Sequence, residues 1–196
     1  MNLWQFLRSR FNPAASGIPG GTSSEEGQFL SQLAASVSDG VVVEIGSHQG
    51  RSAIALARGS LSGSKVDVFA VDPHEPFKGI YGGTFGPADR QAFYRHMAEA
   101  GVGEIVRLIS LPGAVAATGF NRPVALLFID GDHSLAGVTQ DFESWSVHLT
   151  SHAVVAFDDA TDPDGGPFQL IRKLLDSGAW TEGAGCGKIR TLNRRR

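Results

Sequence analysis

Two short apolar runs that stop abruptly on acids constrain this chain most. Ala125-Leu126-Leu127-Phe128-Ile129 ends on Asp130-Gly131-Asp132-His133, and Val154-Val155-Ala156-Phe157 ends on Asp158-Asp159. Short apolar runs bounded by turn residues are the pattern of strands buried on both faces. Ligands of an open α/β sheet bind at the carboxyl ends of its strands. Two successive strands are therefore expected to bring Asp130, Asp158 and Asp159 to one rim, with His133 close behind the first. Oxygen ligands of this kind suit a hard divalent cation such as Mg²⁺.

The rest of the chain alternates in the same sense. Ser23-Ser24-Glu25-Glu26 is a helix start with caps and acids in its first turn, and Phe29, Leu30, Leu33 and Val37 continue it. The pattern predicts strands over 41–45, 66–71, 105–109, 123–129 and 153–157, and helices over 49–58, 89–100, 113–118, 134–148 and 166–177, with Asp89 as a cap. The tail predicts an antiparallel hairpin, 179–182 with 188–192, turning around Gly183-Ala184-Gly185. The expected class is α/β: a Rossmann-like, doubly wound, mainly parallel sheet with helices on both faces and a C-terminal antiparallel hairpin. Leu3, Trp4, Phe6, Leu7 and Phe11 share a helical face that Pro13 ends. This predicts an N-terminal helix and linker over 1–21, packing on the body or on a second subunit of a homodimer, ahead of one domain over 22–196.

Composition excludes several partners. A net charge of −3 gives no reason to expect nucleic acid or an anionic membrane. No apolar run is long enough to span a bilayer, and Arg8 and Arg10 follow the apolar residues, so the N-terminus does not read as a signal peptide. With Cys186 the single cysteine, no internal disulfide or thiolate cage can form, which fits a cytoplasmic location.

Val41–Ile45 runs into Gly46-Ser47-His48-Gln49-Gly50-Arg51-Ser52, a strand, a glycine loop and a helix start. Such a loop offers backbone amides to a ligand. The dinucleotide fingerprint is G-x-G-x-x-G. Here the spacing is Gly46-x-x-x-Gly50, and Glu44 precedes it; a carboxylate there repels a pyrophosphate and suits a cationic ligand. The second strand ends in Asp72, a group that can bind a ribose diol. Together these favour S-adenosylmethionine over NAD.

Glu26-Gly27-Gln28-Phe29-Leu30, Glu44-Ile45-Gly46, Gly50-x-Ser52, Phe128-Ile129-Asp130-Gly131-Asp132 and Phe157-Asp158-Asp159 follow one another in an order that resembles the cation-dependent class I O-methyltransferases. These are the caffeoyl-CoA/catechol group and related bacterial enzymes of sugars and natural products. The resemblance spans residues 22–192. It implies methyl transfer from S-adenosylmethionine to a hydroxyl of a small molecule, assisted by a divalent cation. It places Glu44, Gly46, Ser47, Gly50, Ser52 and Asp130 along the methionine side of the cofactor, Asp72 at the ribose, Ser110 near adenine, and Thr22 or Ser23 over it. It assigns the metal to Asp130, Asp158 and Asp159, the last in place of the family's Asn. His133 stands where the family has a lysine base, and imidazole, with an ordinary pKa of about 6.5, serves as a base at neutral pH.

Three other readings stay open: a metal-independent methyltransferase, an NAD-binding oxidoreductase on a Rossmann sheet, and a binding relative without turnover. Asp132 is expected to cap or support the site, and His74 to lie near the cofactor. His48, His96, His148 and His152 read as surface or helix-end residues. The Gly/Pro-rich segment 73–87, carrying Phe77, Tyr81 and Phe85, is expected to be a lid over the substrate.

Overall fold

The structure, a computed structural model, describes residues 17–80 and 82–195. The expected helix from Leu3 to Phe11, Tyr81 of the lid segment and the terminal Arg196 lie outside the described residues.

Helix α1 (Ser24–Ala35) starts where the capping pattern predicts. The Ser23 hydroxyl accepts the Glu26 amide at 3.2 Å, and Glu26 Oε2 accepts the Ser23 amide at 2.7 Å. This reciprocal pair satisfies two of the amides that a helix start leaves open. There follow β1 (Val41–Ile45), α2 (Arg51–Ser62), β2 (Val68–Val71), the short strands β3 (Phe77–Lys78) and β4 (Thr84–Phe85), α3 (Pro87–Glu99) and β5 (Val106–Ile109). Then come α4 (Gly113–Thr118), β6 (Val124–Ile129), α5 (Leu135–Ser146), β7 (Leu149–Phe157), α6 (Gly166–Asp176), β8 (Trp180–Cys186) and β9 (Ile189–Arg194). Among the described residues, no helix is long and apolar enough to cross a membrane.

Seven strands form one sheet in the order β5-β2-β1-β6-β7-β9-β8. The first five run parallel; β9 is antiparallel to β7, and β8 to β9. This is the expected doubly wound α/β class. Every residue of β1 and β6 is buried, because helices cover both faces. Alternation along β1 sends Val42 to a cluster with Leu30, Ile54, Leu56 and Phe93. It sends Val41, Val43 and Ile45 to the opposite cluster with Val138, Phe142, Trp145 and Leu170. From β1 the chain crosses to β2 and β5 on one side, then returns to β6 and β7 on the other. The order reverses between β1 and β6, so the ligand crevice belongs above their carboxyl ends.

Three boundaries differ from expectation. β7 begins at Leu149, four residues before the expected 153; Ser151 and His152 are exposed there and carry no apolar signal. Helix α3 begins at Pro87, and Asp89 lies inside its first turn, where its Oδ2 accepts the Gly86 amide at 2.8 Å. The C-terminal hairpin turns at Gly187-Lys188, with Cys186 paired to Ile189. Gly183 and Gly185 lie within β8 at a register irregularity; a side chain on Gly183 would crowd the Thr191 hydroxyl, so that glycine serves a bulge.

Candidate active site

The loop after β1 is held by its own backbone. Gly46 and Gly50 have φ of 87° and 90°, a left-handed region that glycine adopts without strain. A Cβ on Gly46 would overlap the carbonyl oxygen of Asp130, so the ends of β1 and β6 touch because this residue has no side chain. Asp72, at the end of β2, braces the loop. Its Oδ2 accepts the His48 amide and its Oδ1 the His74 amide, both at 2.8 Å.

Glu44 is fully buried, and neither carboxylate oxygen has a hydrogen-bond partner. Burial pushes its pKa up to about 8; the charges of Asp130 and Asp72 add to this, and the nearby Ser52 hydroxyl partly opposes it. A carboxylate in this position is at rest only when protonated or when a cation lies against it.

The strand-end acids converge. The Asp130 amide donates to Ile45 at 2.8 Å and the Asp158 amide to Ile129 at 3.0 Å, so each acid extends its strand against the neighbouring one. His133 Nε2 lies 3.4 Å from Asp130 Oδ1 and 3.7 Å from Asp159 Oδ2. Asp130, His133 and Asp158 each offer a ligand atom, and the three lie within 4.8 Å of one another. Asp158 is buried, and its Oδ1 has no hydrogen-bond partner. Two carboxylates and an imidazole at this spacing, with one buried oxygen unsatisfied, fit a divalent cation by donor chemistry. Burial and the neighbouring Asp130 charge push Asp158 up to about 8. Burial alone would lower the His133 pKa, but the hydrogen bond and charge of Asp130, with Asp159 and Asp158 behind it, hold it above the usual value.

Sequence reasoning missed Lys188. Its Nζ lies 2.6 Å from Asp158 Oδ2 and 2.8 Å from Asp159 Oδ1. Burial would lower its pKa, but the hydrogen bonds and charges of the two aspartates raise it, so it is an ammonium. Its backbone is clamped on both sides: its amide donates to Glu26 Oε1 and its carbonyl accepts the Ala160 amide, each at 2.9 Å. The turn at Gly187 delivers it. With the turn expected several residues earlier, Lys188 was assigned to a strand and had no evident destination.

These groups surround a cavity of about 410 Å³. Of the expected cofactor residues, Thr22, Gly46, Ser47, Ser52 and Asp130 line it. Glu44 reaches it through Ser52. Ser23, Gly50, Asp72 and Ser110 do not line it: Ser23 caps α1, Gly50 packs against Phe93, and the Ser110 hydroxyl accepts Arg90 at 3.2 Å. Asp132, Asp158, Asp159, His133 and Lys188 complete the acidic side. Asp132 caps as expected, accepting the Ser134 amide at 3.0 Å and its hydroxyl at 2.9 Å. The segment 73–87 folds into the β3–β4 ribbon, whose Phe77 and Phe85 stack at 6.0 Å and, with Ile80, wall the cavity.

Several histidines correct the expectation of surface residues. His48 lines the cavity, meets Phe85 edge-on at 5.0 Å and lies 3.2 Å from Asp89. His96 and His148 bond the carbonyls of Gln49 and Ala117 at 2.8 and 3.0 Å. His74 is buried, with Nε2 2.8 Å from the His48 carbonyl, and supports the loop from behind. His152 is exposed as expected.

The sequence pattern of a family described as "Methyltransferase domain" matches residues 43–160. The chain belongs to this methyltransferase family. The fold of the methyltransferase domain recurs in solved structures at low identity. SAH-bound methyltransferase PaMTH1 of Podospora anserina shares 16% identity at a TM-score of 0.68, covering 98% of this chain and 86% of that one. The O-methyltransferase TomG of Streptomyces achromogenes, involved in tomaymycin synthesis and solved with SAM, shares 21% at 0.61, covering 95% and 87%. An O-methyltransferase of Bacillus cereus in complex with SAH shares 19% at 0.63, covering 98% and 90%. The matched stretch of the methyltransferase domain carries Glu44, Asp130, His133, Asp158 and Asp159; Lys188 lies beyond it.

Proposed function

We propose that this methyltransferase domain moves a methyl group from S-adenosylmethionine to a hydroxyl of a small molecule, with a divalent cation at the acid cluster. The observation that carries the donor is Glu44. A fully buried carboxylate with two unsatisfied oxygens, reached from the cavity through Ser52, suits the cationic methionine end of that donor. When bound, the donor supplies an electrophilic methyl, and the cation supplies Lewis acidity toward the acceptor oxygen.

The chain's own residues divide the remaining work. Thr22, Ser47 and Ser52 line the donor side of the cavity. Asp130 and Asp158 hold the cation. Phe77, Ile80 and Phe85 exclude water from the acceptor and give it an apolar wall. Holding the two reactants in line is the main source of rate, since opposite charges cancel as the methyl moves.

His133 admits two roles. It is the third ligand, or it takes the acceptor proton while Asp159 completes the ligand set. The convergence of its ligand atom with those of Asp130 and Asp158 favours the first. His133→Gln separates them. Loss of Mn²⁺ binding marks a ligand; intact Mn²⁺ binding with loss of the acidic limb of the pH–rate profile marks a base.

The test of the whole reading is Asp158→Ala, assayed for turnover and, by calorimetry, for S-adenosylmethionine affinity. Turnover is expected to vanish and affinity to stay within about twofold, because Asp158 sits on the acceptor side. Loss of donor binding with an intact cation response would reverse this division of labour. A cytoplasmic enzyme, dimerising through its apolar N-terminal segment, completes the proposal.

A further inference from the structure

Lys188 brings a positive charge of the chain's own to the carboxylates that the proposed divalent cation needs. We propose that Lys188 is a tethered competitor of that cation: its ammonium occupies the acid cluster, and a metal ion binds only by displacing it. The inference rests on the cation reading above and adds the means by which metal affinity is set.

Four observations carry it. The ammonium bridges Asp158 Oδ2 and Asp159 Oδ1 at 2.6 and 2.8 Å, with Asp158 one of the three converging donors. Asp158 is 2% exposed and still has one oxygen unpartnered, so the lysine leaves part of the cluster's demand unmet. The lysine is placed by design of the turn: Glu26 and Ala160 hold its amide and carbonyl, and a Cβ on Gly187 would overlap the Glu26 carboxylate. Gly21 closes over its tip, for a Cβ there would stand 3.2 Å from Nζ. An ammonium and a divalent ion sharing one carboxylate repel each other, and each weakens the oxygen's donation to the other. The flexible four-carbon stem of lysine lets the head swing away while the clamped backbone stays.

The experiment is a Mn²⁺ titration, followed by the EPR signal of free Mn²⁺ and by metal-induced shifts in melting temperature, on the wild type, Lys188→Met and Lys188→Arg. Lys188→Met is expected to bind Mn²⁺ about tenfold tighter or more, because removing one partner of a buried pair leaves an uncompensated charge that the metal satisfies. Its metal-induced melting shift should exceed that of the wild type, and Lys188→Arg should behave as the wild type. Equal Mn²⁺ affinity in wild type and Lys188→Met overturns the competitor and leaves the cation reading standing. No Mn²⁺ binding by either protein, with S-adenosylmethionine binding intact in both, overturns the cation reading and the competitor together. A second measurement needs no variant. Amine labelling of the wild type, read by mass spectrometry, should rise at Lys188 when Mn²⁺ is saturating; unchanged labelling at saturation overturns the displacement.

Discussion

Glu44 shows at the residue scale what burial does to a charge. An acid whose pKa stands higher in the folded than in the unfolded state stabilises the fold only while protonated. Its contribution is complete below about pH 4.5 and is lost as pH rises through about 8. Without added donor, the protein should therefore lose stability across that window. Glu44→Gln should remove the loss, by on the order of 3 kcal/mol near neutral pH as an upper bound. It should also weaken S-adenosylmethionine binding at least about tenfold, since a neutral amide cannot answer a cation. Urea melts from pH 4 to 9 check the first part, and calorimetry the second; a stability gap that does not change with pH would remove the burial argument. Asp130 and Asp158 were legible because uninterrupted apolar runs end on them. Lys188 was not, because a lone lysine among hairpin glycines carries no mark of where its side chain goes. His48 and His96 were misread for a related reason: their partners are a carboxylate and a backbone carbonyl from distant segments.

At the scale of elements, the strands and helices announced themselves through apolar runs and caps, and the turns did not. Three glycines crowd the end of the chain, and composition cannot tell which one bends it. Space decides: Gly183 faces Thr191 across the bulge, while Gly187, with φ of 55°, is left-handed and packs on Glu26. Gly187→Ala should cost roughly 1–3 kcal/mol and should lower turnover as well, because Lys188 moves with the turn; thermal melts and initial rates report both. Ser23→Ala should cost about 1 kcal/mol through the lost cap, read by the same melts. The β3–β4 ribbon was expected as an irregular lid, since two-residue strands are too short to show a period. Phe85→Ala should raise the acceptor KM several-fold and leave S-adenosylmethionine affinity unchanged, because Phe85 walls the cavity through contacts with Phe77 and His48; steady-state kinetics with each substrate varied in turn measures this.

For the whole molecule, the sheet order follows from alternation and from the burial of β1 and β6, both readable in the chain. The site is harder to read, because it draws on segments far apart. Trp180, Ile189 and Leu192 of the last hairpin are buried against the sheet, so a chain ending at residue 178 should not unfold cooperatively in urea. Glu26 binds Ser23 through one oxygen and Lys188, 162 positions later, through the other. The first helix and the final turn are thus fastened by a single carboxylate. A nascent chain on the ribosome can complete its parallel strands and still lack the piece that governs its acid pocket, so competence is withheld until synthesis is all but finished.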